Sequence, residues 1–454
     1  MLSSAIFREY DIRGIPGDNF TYEDAYAIAR AFAARIEGEK PFVCLGRDGR
    51  LSSPQLAESI RRGLLDSGVD VIDIGIGPTP MLYYAAHSCK ASAAIMVTGS
   101  HNPPTHNGMK CMLHGKPFFG EDIRALHAAV EAGKFKNGAG ALQHKDVRAD
   151  YTKELLHAYH GNDMLNIAWD AGNGAAGEIM TRLCQQLPGQ HIVLNGTIDG
   201  RFPNHHPDPS VAENLRQLVA AVRENKCQLG IAFDGDADRI GVVDDEGFVI
   251  WPDQLMILYA RAVLAENPGS MIIADVKSSD ALFEDVKAHG GQPLMWKTGH
   301  SHIKAKLAET GAKLAGEMSG HIFFADRYYG YDDALYAAVR LLSIVSQQGG
   351  KLSAWRKLLP EYVNTPEIRF ECEEDRKFAV IEEVRARLEN DKKRFTAVDG
   401  VRVHTKDGWW LLRASNTQPV LVARCEARTQ EGLDRLVDAL KEQLMASAID
   451  LPSA

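Results

Sequence analysis

Short apolar runs alternate with longer stretches of helical periodicity over the first three quarters of the chain. Phe42 to Gly46, Ala93 to Val97, Leu165 to Trp169, Gln228 to Phe233 and Met271 to Val276 read as buried strands, and Val69 to Gly75 as an alternating one. Helical periodicity falls at 23–36, near 80–88, and at 121–132, 149–160, 211–225, 253–266 and 332–348. Ser53-Pro54 opens another helix, with Ser53 as N-cap and Pro54 at the first position, reaching about Ser67. A glycine-rich turn from Asp170 leads into a helix ending near Leu187, and Asn107 to Lys110 reads as a turn entering a strand. Strands alternating with helices imply mainly parallel βαβ sheets. The last segment differs, with short strands and hairpins at 367–372 and 400–428 and helices near 374–390 and 429–446.

A chain of 454 residues holds three or four domains at ~100–200 residues each. The Gly-, Lys- and Asn-rich stretch 133–145 is the first candidate boundary. A formal charge of −9 argues against nucleic acid or an anionic membrane as partner. No apolar run reaches the ~18 residues of a membrane span, and the start, Met1 to Glu9, meets charge too early for a secretory signal. Seven scattered cysteines without a Cys-x-x-Cys pair fit a reducing cytoplasm and no zinc site.

Four loops carry candidate chemistry. Val97 to Pro104 breaks a strand into Gly99, Ser100, His101 and a Pro pair, which holds and exposes a serine where α/β sheets bind ligands; a plain turn is the alternative. Asp234-Gly235-Asp236-Ala237-Asp238-Arg239 sets three carboxylates at alternating positions. Like charges packed together need a cation, and hard oxygen ligands suit Mg²⁺, although Arg239 and Asp245 exclude an EF-hand. Glu317, Ser319 and His321 bring an acid, a hydroxyl and an imidazole into one loop, groups suited to sugar hydroxyls. Arg413, Ser415, Asn416 and Thr417 form an anion cradle or an ordinary turn. Arg13, near Tyr10, meets structural carboxylates or an anion, and Lys110 folds back toward Ser100 or faces solvent. Gly172, Gly174 and Gly177 have dinucleotide-fingerprint spacing, but the next strand ends in Asn195 rather than an acid, which favours a close-packed turn.

In this order, the four loops resemble those of the α-D-phosphohexomutase superfamily, most closely its bacterial phosphomannomutase/phosphoglucomutase branch. Met318 favours that branch over phosphoglucosamine mutases, which usually carry Gln there. The resemblance implies an α/β fold of four domains around a central cleft, three related mixed-sheet domains and a C-terminal α+β domain, here expected at 1–147, 148–249, 250–361 and 362–454. It implies an isomerase interconverting hexose 1-phosphate and hexose 6-phosphate through phosphorylated Ser100 and a 1,6-bisphosphate. Asp234, Asp236, Asp238 and the Ser100 phosphate would hold Mg²⁺, with Arg239 and Lys110 adding positive charge and His101 beside the serine. Glu317 and Ser319, with His321 in the same loop, would bind the sugar. Arg413, Ser415, Asn416 and Thr417 would hold the non-reacting phosphate. Tyr10, Arg13, Lys277 and His300 would line the cleft, with Lys277 or His300 as acid or base. Glucose 1,6-bisphosphate would be the activator, and a cytoplasmic monomer or weak dimer is expected. A serine hydrolase using Ser100 and His101, a phosphoglucosamine mutase and a non-catalytic sugar-phosphate sensor are the alternatives.

Overall fold

The computed structural model describes residues 2–451. Its first three sheets repeat one topology that no self-similarity in the sequence displays. The first sheet is ordered Asp70–Ile76, Phe42–Arg47, Ala93–Val97, Asn107–Leu113, with the first three parallel and the last antiparallel. In the second, Gly189–Leu194, Leu165–Asp170, Leu229–Phe233 and Ile240–Asp244 follow the same order and directions. In the third, Gln292–Trp296, Met271–Asp275, Leu314–Gly316 and Ile322–Phe324 do so again. In every unit the loop between the third strand and its antiparallel neighbour carries one motif: Ser100, then the three aspartates, then Glu317. These loops leave the carboxyl ends of parallel strands, the end of an α/β sheet where ligands bind.

The fourth unit is an antiparallel sheet ordered Val363–Asn364, Val420–Ala427, Gly408–Ala414, Val401–His404, Phe395–Thr396, with Ile368–Glu371 also pairing with Val420–Ala427. Helices Glu374–Asn390 and Gln430–Met445 pack against it. One hydrophobic core runs through the first three units, from Met81 and Leu82 through Trp169 and Phe233 to Leu341. The fourth has its own core, built on Val380, Leu412 and Leu436. It docks on the third through a small apolar seam, Val276, Trp409 and Leu411. No described helix is long and apolar enough to cross a membrane.

The structure corrects several boundaries. Ser52, not Ser53, is the N-cap of Ser53–Leu65; the Ser53 hydroxyl is committed to the Asp48 carboxylate instead. Asn107 to Lys110 lies within a strand rather than a turn. The stretch 133–145 is tied to the first unit, since Gly138 and Gly140 bond the 65–66 backbone and Leu142–His144 adds a parallel edge strand to the first sheet. The expected helix 211–225 begins as the 3₁₀ turn Ala212–Leu215 and continues as Arg216–Glu224. The helix after the triple-glycine turn is short, Gly177–Cys184. That turn is close-packed, as its missing acid implied: a Cβ on Gly177 would sit 2.0 Å from the Gly196 carbonyl oxygen.

Helix Ala334–Gln347 is buried in every residue but its last and cannot rely on water to satisfy its first turn. Asp333 caps it, accepting from the Tyr336 amide at 2.9 Å and from the Tyr151 and Tyr328 hydroxyls at 2.8 Å each. Burial outweighs these donors and pushes the Asp333 carboxyl up to about 6. A carboxyl whose folded pKa is raised contributes stability below its unfolded pKa and loses it as pH rises through the folded one. Relative to Asp333→Asn, the native protein should therefore lose roughly 3 kcal/mol between about pH 4 and pH 7. Urea unfolding of both proteins across that range checks this; parallel stability profiles would mean that Asp333 titrates normally.

Candidate active site

Ser100 has φ 49°, in the left-handed region, which costs a non-glycine residue roughly 1–2 kcal/mol. The loop is held there from beneath. The Arg50 guanidinium, 1% exposed, donates to the carbonyls of Ser100 (2.6 Å), Asn102 (2.7 Å), Pro103 (2.6 Å) and His106 (3.0 Å). Asp48 accepts from Thr98 Oγ1 at 2.8 Å and the Gly99 amide at 3.2 Å, and Thr98 Oγ1 accepts from the Ser100 amide at 2.9 Å. Gly99 must be glycine, because a Cβ would lie 2.6 Å from Arg50 Cζ. The serine is held as expected but is not exposed; it is 2% accessible at the base of a cleft.

Ser100 Oγ donates to Asp234 Oδ2 at 2.9 Å, and His101 Nδ1 lies 3.2 Å from Ser100 Oγ. The aspartate loop comes this near because Gly235 lacks a side chain: its Cβ would fall 2.3 Å from the Ser100 carbonyl oxygen. Asp234, Asp236 and Asp238 are fully buried, with ligand atoms within 4.8 Å of one another. Lys110 Nζ bridges Asp236, at 2.7 Å, and Asp238. Burial opposes the Lys110 charge, but Asp236 and Asp238 overcome it and hold the ammonium well above its usual pKa. Burial, then the Asp238 and Asp236 charges, push Asp234 well up. One lysine thus leaves the triad short of positive charge, and Asp236 Oδ1 and Asp238 Oδ1 are buried without partners. A hard divalent cation such as Mg²⁺ fits this oxygen set.

Asp332, which the sequence reading passed over, organises the neighbouring histidines. Its carboxylate is fully buried, 2.9 Å from Lys304 Nζ, 3.1 Å from His321 Nδ1 and 3.5 Å from His300 Nδ1. Burial disfavours its charge, but Lys304 and His321 keep it well below the usual carboxylate range. His321 Nε2 accepts from Arg239 Nε at 3.0 Å, so both ring nitrogens face protein groups. The His300 ring stacks on His321 at 5.3 Å. Burial, helped by Lys304, holds His300 well below its usual pKa, and burial with Arg239 does the same for His101. Both are neutral imidazoles at neutral pH.

The fourth unit closes the cleft. Arg413 Nε donates to Asp399 at 2.9 Å, and Asp399 also accepts the Thr298 amide at 3.0 Å. Asn416 Nδ2 donates to the Tyr10 hydroxyl at 2.8 Å, which donates to the Thr298 carbonyl at 3.0 Å. One chain of bonds thus ties the first, third and fourth units at the rim. Arg13 meets Asp11 at 2.6 Å and Asn102 at 3.3 Å, and Lys277 meets Glu367 at 2.9 Å. Glu317 accepts the Gly299 amide at 2.6 Å on one oxygen, and its other oxygen is buried without a partner.

The cleft has a volume of about 870 Å³. Tyr10, Arg13, Ser100, His101, Lys110, Arg239, Lys277, His300, Glu317, Ser319, His321, Arg413, Ser415, Asn416 and Thr417 all line it. The three aspartates lie behind Ser100, out of the lining. Seven Lys and Arg against four Asp and Glu make the cleft basic within an acidic protein. Asp208 and Glu367 also line it and were missed. The proline-flanked run His205-His206-Pro207-Asp208-Pro209 was a legible signal for the first; nothing local marks the second.

A buried serine against an acidic triad, beneath a basic cleft with a separate anion loop, defines a phosphoryl-transfer protein. Residues 4–137 match the family described as phosphoglucomutase/phosphomannomutase, alpha/beta/alpha domain I, residues 149–247 domain II, residues 251–362 domain III and residues 367–443 its C-terminal domain. The chain is 45% identical over 452 residues to the phosphomannomutase/phosphoglucomutase of Pseudomonas aeruginosa, covering 99% of this chain and 98% of that one. It is 45% identical over 442 residues to the phosphoglucomutase of Neisseria gonorrhoeae, covering 96% of each. A crystal structure of a phosphoglucomutase/phosphomannomutase family protein from Burkholderia thailandensis superposes with a TM-score of 0.94 at 42% identity, covering all of both chains. The chain belongs to the phosphoglucomutase/phosphomannomutase family of α-D-phosphohexomutases, isomerases that act on hexose phosphates.

Arg50→Ala strips four loop carbonyls of their donor and leaves Asp48 buried without its cation, a loss expected to cost about 3–5 kcal/mol. Calorimetry should show a lowered Tm, and hydrogen exchange should quicken at residues 98–106. Arg50→Lys should recover only part of this, since an ammonium lacks the planar fork. Unchanged exchange in Arg50→Ala would show that the loop holds its own shape.

Proposed function

We propose that the chain interconverts the 1-phosphates and 6-phosphates of mannose and glucose through a phosphoserine at Ser100 and a hexose 1,6-bisphosphate. The observation that carries the reading is the placement of Ser100, backed by the aspartate triad, at the base of one basic cleft of about 870 Å³ that Arg413, Ser415, Asn416 and Thr417 also line. The P–O bond to Ser100 Oγ breaks as the phosphoryl group passes to the free hydroxyl of the bound sugar phosphate. The bisphosphate turns end for end, and its other phosphate returns to Ser100. Mg²⁺ held by Asp234, Asp236, Asp238 and the Ser100 phosphate would supply charge neutralisation at the transferring group.

Arg13, Lys110 and Arg239 add positive charge beside Ser100, and Arg413, Ser415, Asn416 and Thr417 hold the non-reacting phosphate. Glu317 and Ser319 recognise the 3- and 4-hydroxyls, which glucose and mannose share. His321, whose Nε2 accepts from Arg239 and whose Nδ1 lies 3.1 Å from Asp332, orients Arg239 beside the sugar. Of the two candidates for the hydroxyl proton, the geometry favours His300. It is neutral, and its Nδ1 faces Asp332, which leaves Nε2 as the free basic edge. Lys277 is committed to Glu367.

A coupled assay with mannose 1-phosphate, glucose 1-phosphate and glucosamine 1-phosphate tests this, run with Mg²⁺ and a trace of glucose 1,6-bisphosphate. Comparable turnover of the first two, abolished by chelator, is expected. Turnover of glucosamine 1-phosphate alone would overturn the sugar assignment and keep the chemistry. Ser100→Ala should lower kcat at least a thousandfold and abolish labelling by radioactive bisphosphate; full activity in that variant would sink the mechanism. Asp236→Asn should raise the Mg²⁺ concentration needed for half-activity at least tenfold.

A further inference from the structure

A second cavity, of about 460 Å³, lies on the seam between the third and fourth units. Helix Asp280–Ala288 and edge strand Gln292–Trp296 form one wall, and the hairpin joining Val401–His404 to Gly408–Ala414 forms the other. Its charged groups are not equivalent. The acids are all committed: Asp280 to Arg402, Glu284 to Tyr362 and Arg428, Asp407 to Arg435, and Glu426 to the Trp409 indole and the Asp280 amide. Lys287, Arg394 and Lys406 make no ion pair and no side-chain hydrogen bond among the described residues. Lys287 comes from one wall and the other two from the opposite one. Half-buried Phe283, Pro293 and Met295 supply an apolar floor.

We infer that this seam cavity binds a small phosphate-bearing metabolite, clamped between Lys287 on the third unit and Arg394 and Lys406 on the fourth. Three unpaired, solvent-exposed cations around a concave floor whose acids already have hydrogen-bond partners favour an anion. Their placement on both sides means that such a ligand bridges the two units.

The same seam bears on the catalytic cleft. Arg402 donates to the carbonyls of Val276 (2.7 Å) and Ser278 (2.8 Å), and Arg424 to that of Lys277 (2.5 Å). The segment Val276 to Asp280 is therefore a shared wall, with Lys277 facing the cleft and Asp280 facing the seam cavity. A ligand spanning the seam favours the relative position of the two units that fits it best, and so biases the opening of the cleft. Binding at the seam stands apart from the function proposed for the cleft; only this coupling rests on it.

Calorimetric titration of the full chain, with its cleft saturated by glucose 1,6-bisphosphate, tests the site. Inorganic phosphate and adenosine 5′-monophosphate are the probes, the first reading the cations alone and the second adding the apolar floor. One site per chain is expected for at least one probe, with affinity falling tenfold or more in Lys287→Glu/Lys406→Glu. That variant should keep the native Tm and the native turnover without added probe, because neither lysine is paired in the fold or lines the cleft. An identical isotherm in the variant, or no heat from either probe in the native protein, would overturn the inference. Because the mutase assay is read separately, failure here leaves the cleft chemistry standing, and failure there leaves this site standing.

Discussion

Three buried carboxylates in one loop set the constraint on which the site depends. Asp234, Asp236 and Asp238 are shut off from water, where their mutual repulsion is barely screened. Such a cluster persists only if the surrounding fold supplies positive charge. Lys110 does so from the next unit, its ammonium bridging two of the three. That bridge spans two sheets, so the electrostatics of the triad also fasten the first unit to the second. The shortfall that Lys110 leaves is what suits the pocket to a divalent cation. The same cations that stabilise the loop in the folded chain would therefore serve the transferring phosphoryl group.

A left-handed serine is the other strained element, and its support is of a different kind. The strain is one or two kcal/mol, whereas Arg50 satisfies four carbonyls at once from a buried position. Hydrogen bonds to charged groups contribute ~1.5–3 kcal/mol each, so the support outweighs the strain with margin to spare. This margin keeps Ser100 fixed in that conformation. Gly99 and Gly235 then work as a pair, one admitting Arg50 beneath the loop and the other admitting the loop against the triad.

Much of this was legible in the chain. Strands such as Ala93–Val97 and helices such as Glu121–Ala132 follow directly from apolar periodicity, because their neighbours are local and their turns carry Gly or Pro. The four motif loops were legible because each packs several chemical groups into a few residues. What escaped was non-local. Asp332, Asp48 and Arg50 look like ordinary surface charges in sequence, and their meaning depends on distant partners such as Lys304, 28 residues from Asp332, and the His106 carbonyl, 56 residues from Arg50. Ser53 was misread because a serine before proline is a good cap, and only the fold shows Asp48 claiming its hydroxyl. The threefold repeat was legible only through the family resemblance, because it keeps strand order and loop position rather than residues.

The repeat gathers three different loops at one cleft. Three copies of the same loop position converge, and each copy differs: one bears Ser100, one the acids and one Glu317. The fourth unit is built differently and has its own core. Its contacts at the rim are few and polar, Asn416 to Tyr10 and Asp399 to Thr298. Its contacts at the seam are buried and charged, with Arg402 lying 3.7 Å from the Trp409 ring centroid and bonded across the interface. The fourth unit is thus held weakly at the rim and firmly at the seam. Opening would break the rim bonds, at small cost because water replaces them, while the seam holds the unit in register. The bisphosphate proposed above, turning without escaping, would need that combination: a clamp loose enough to release one phosphate, beside a seam firm enough to receive the other in the same place.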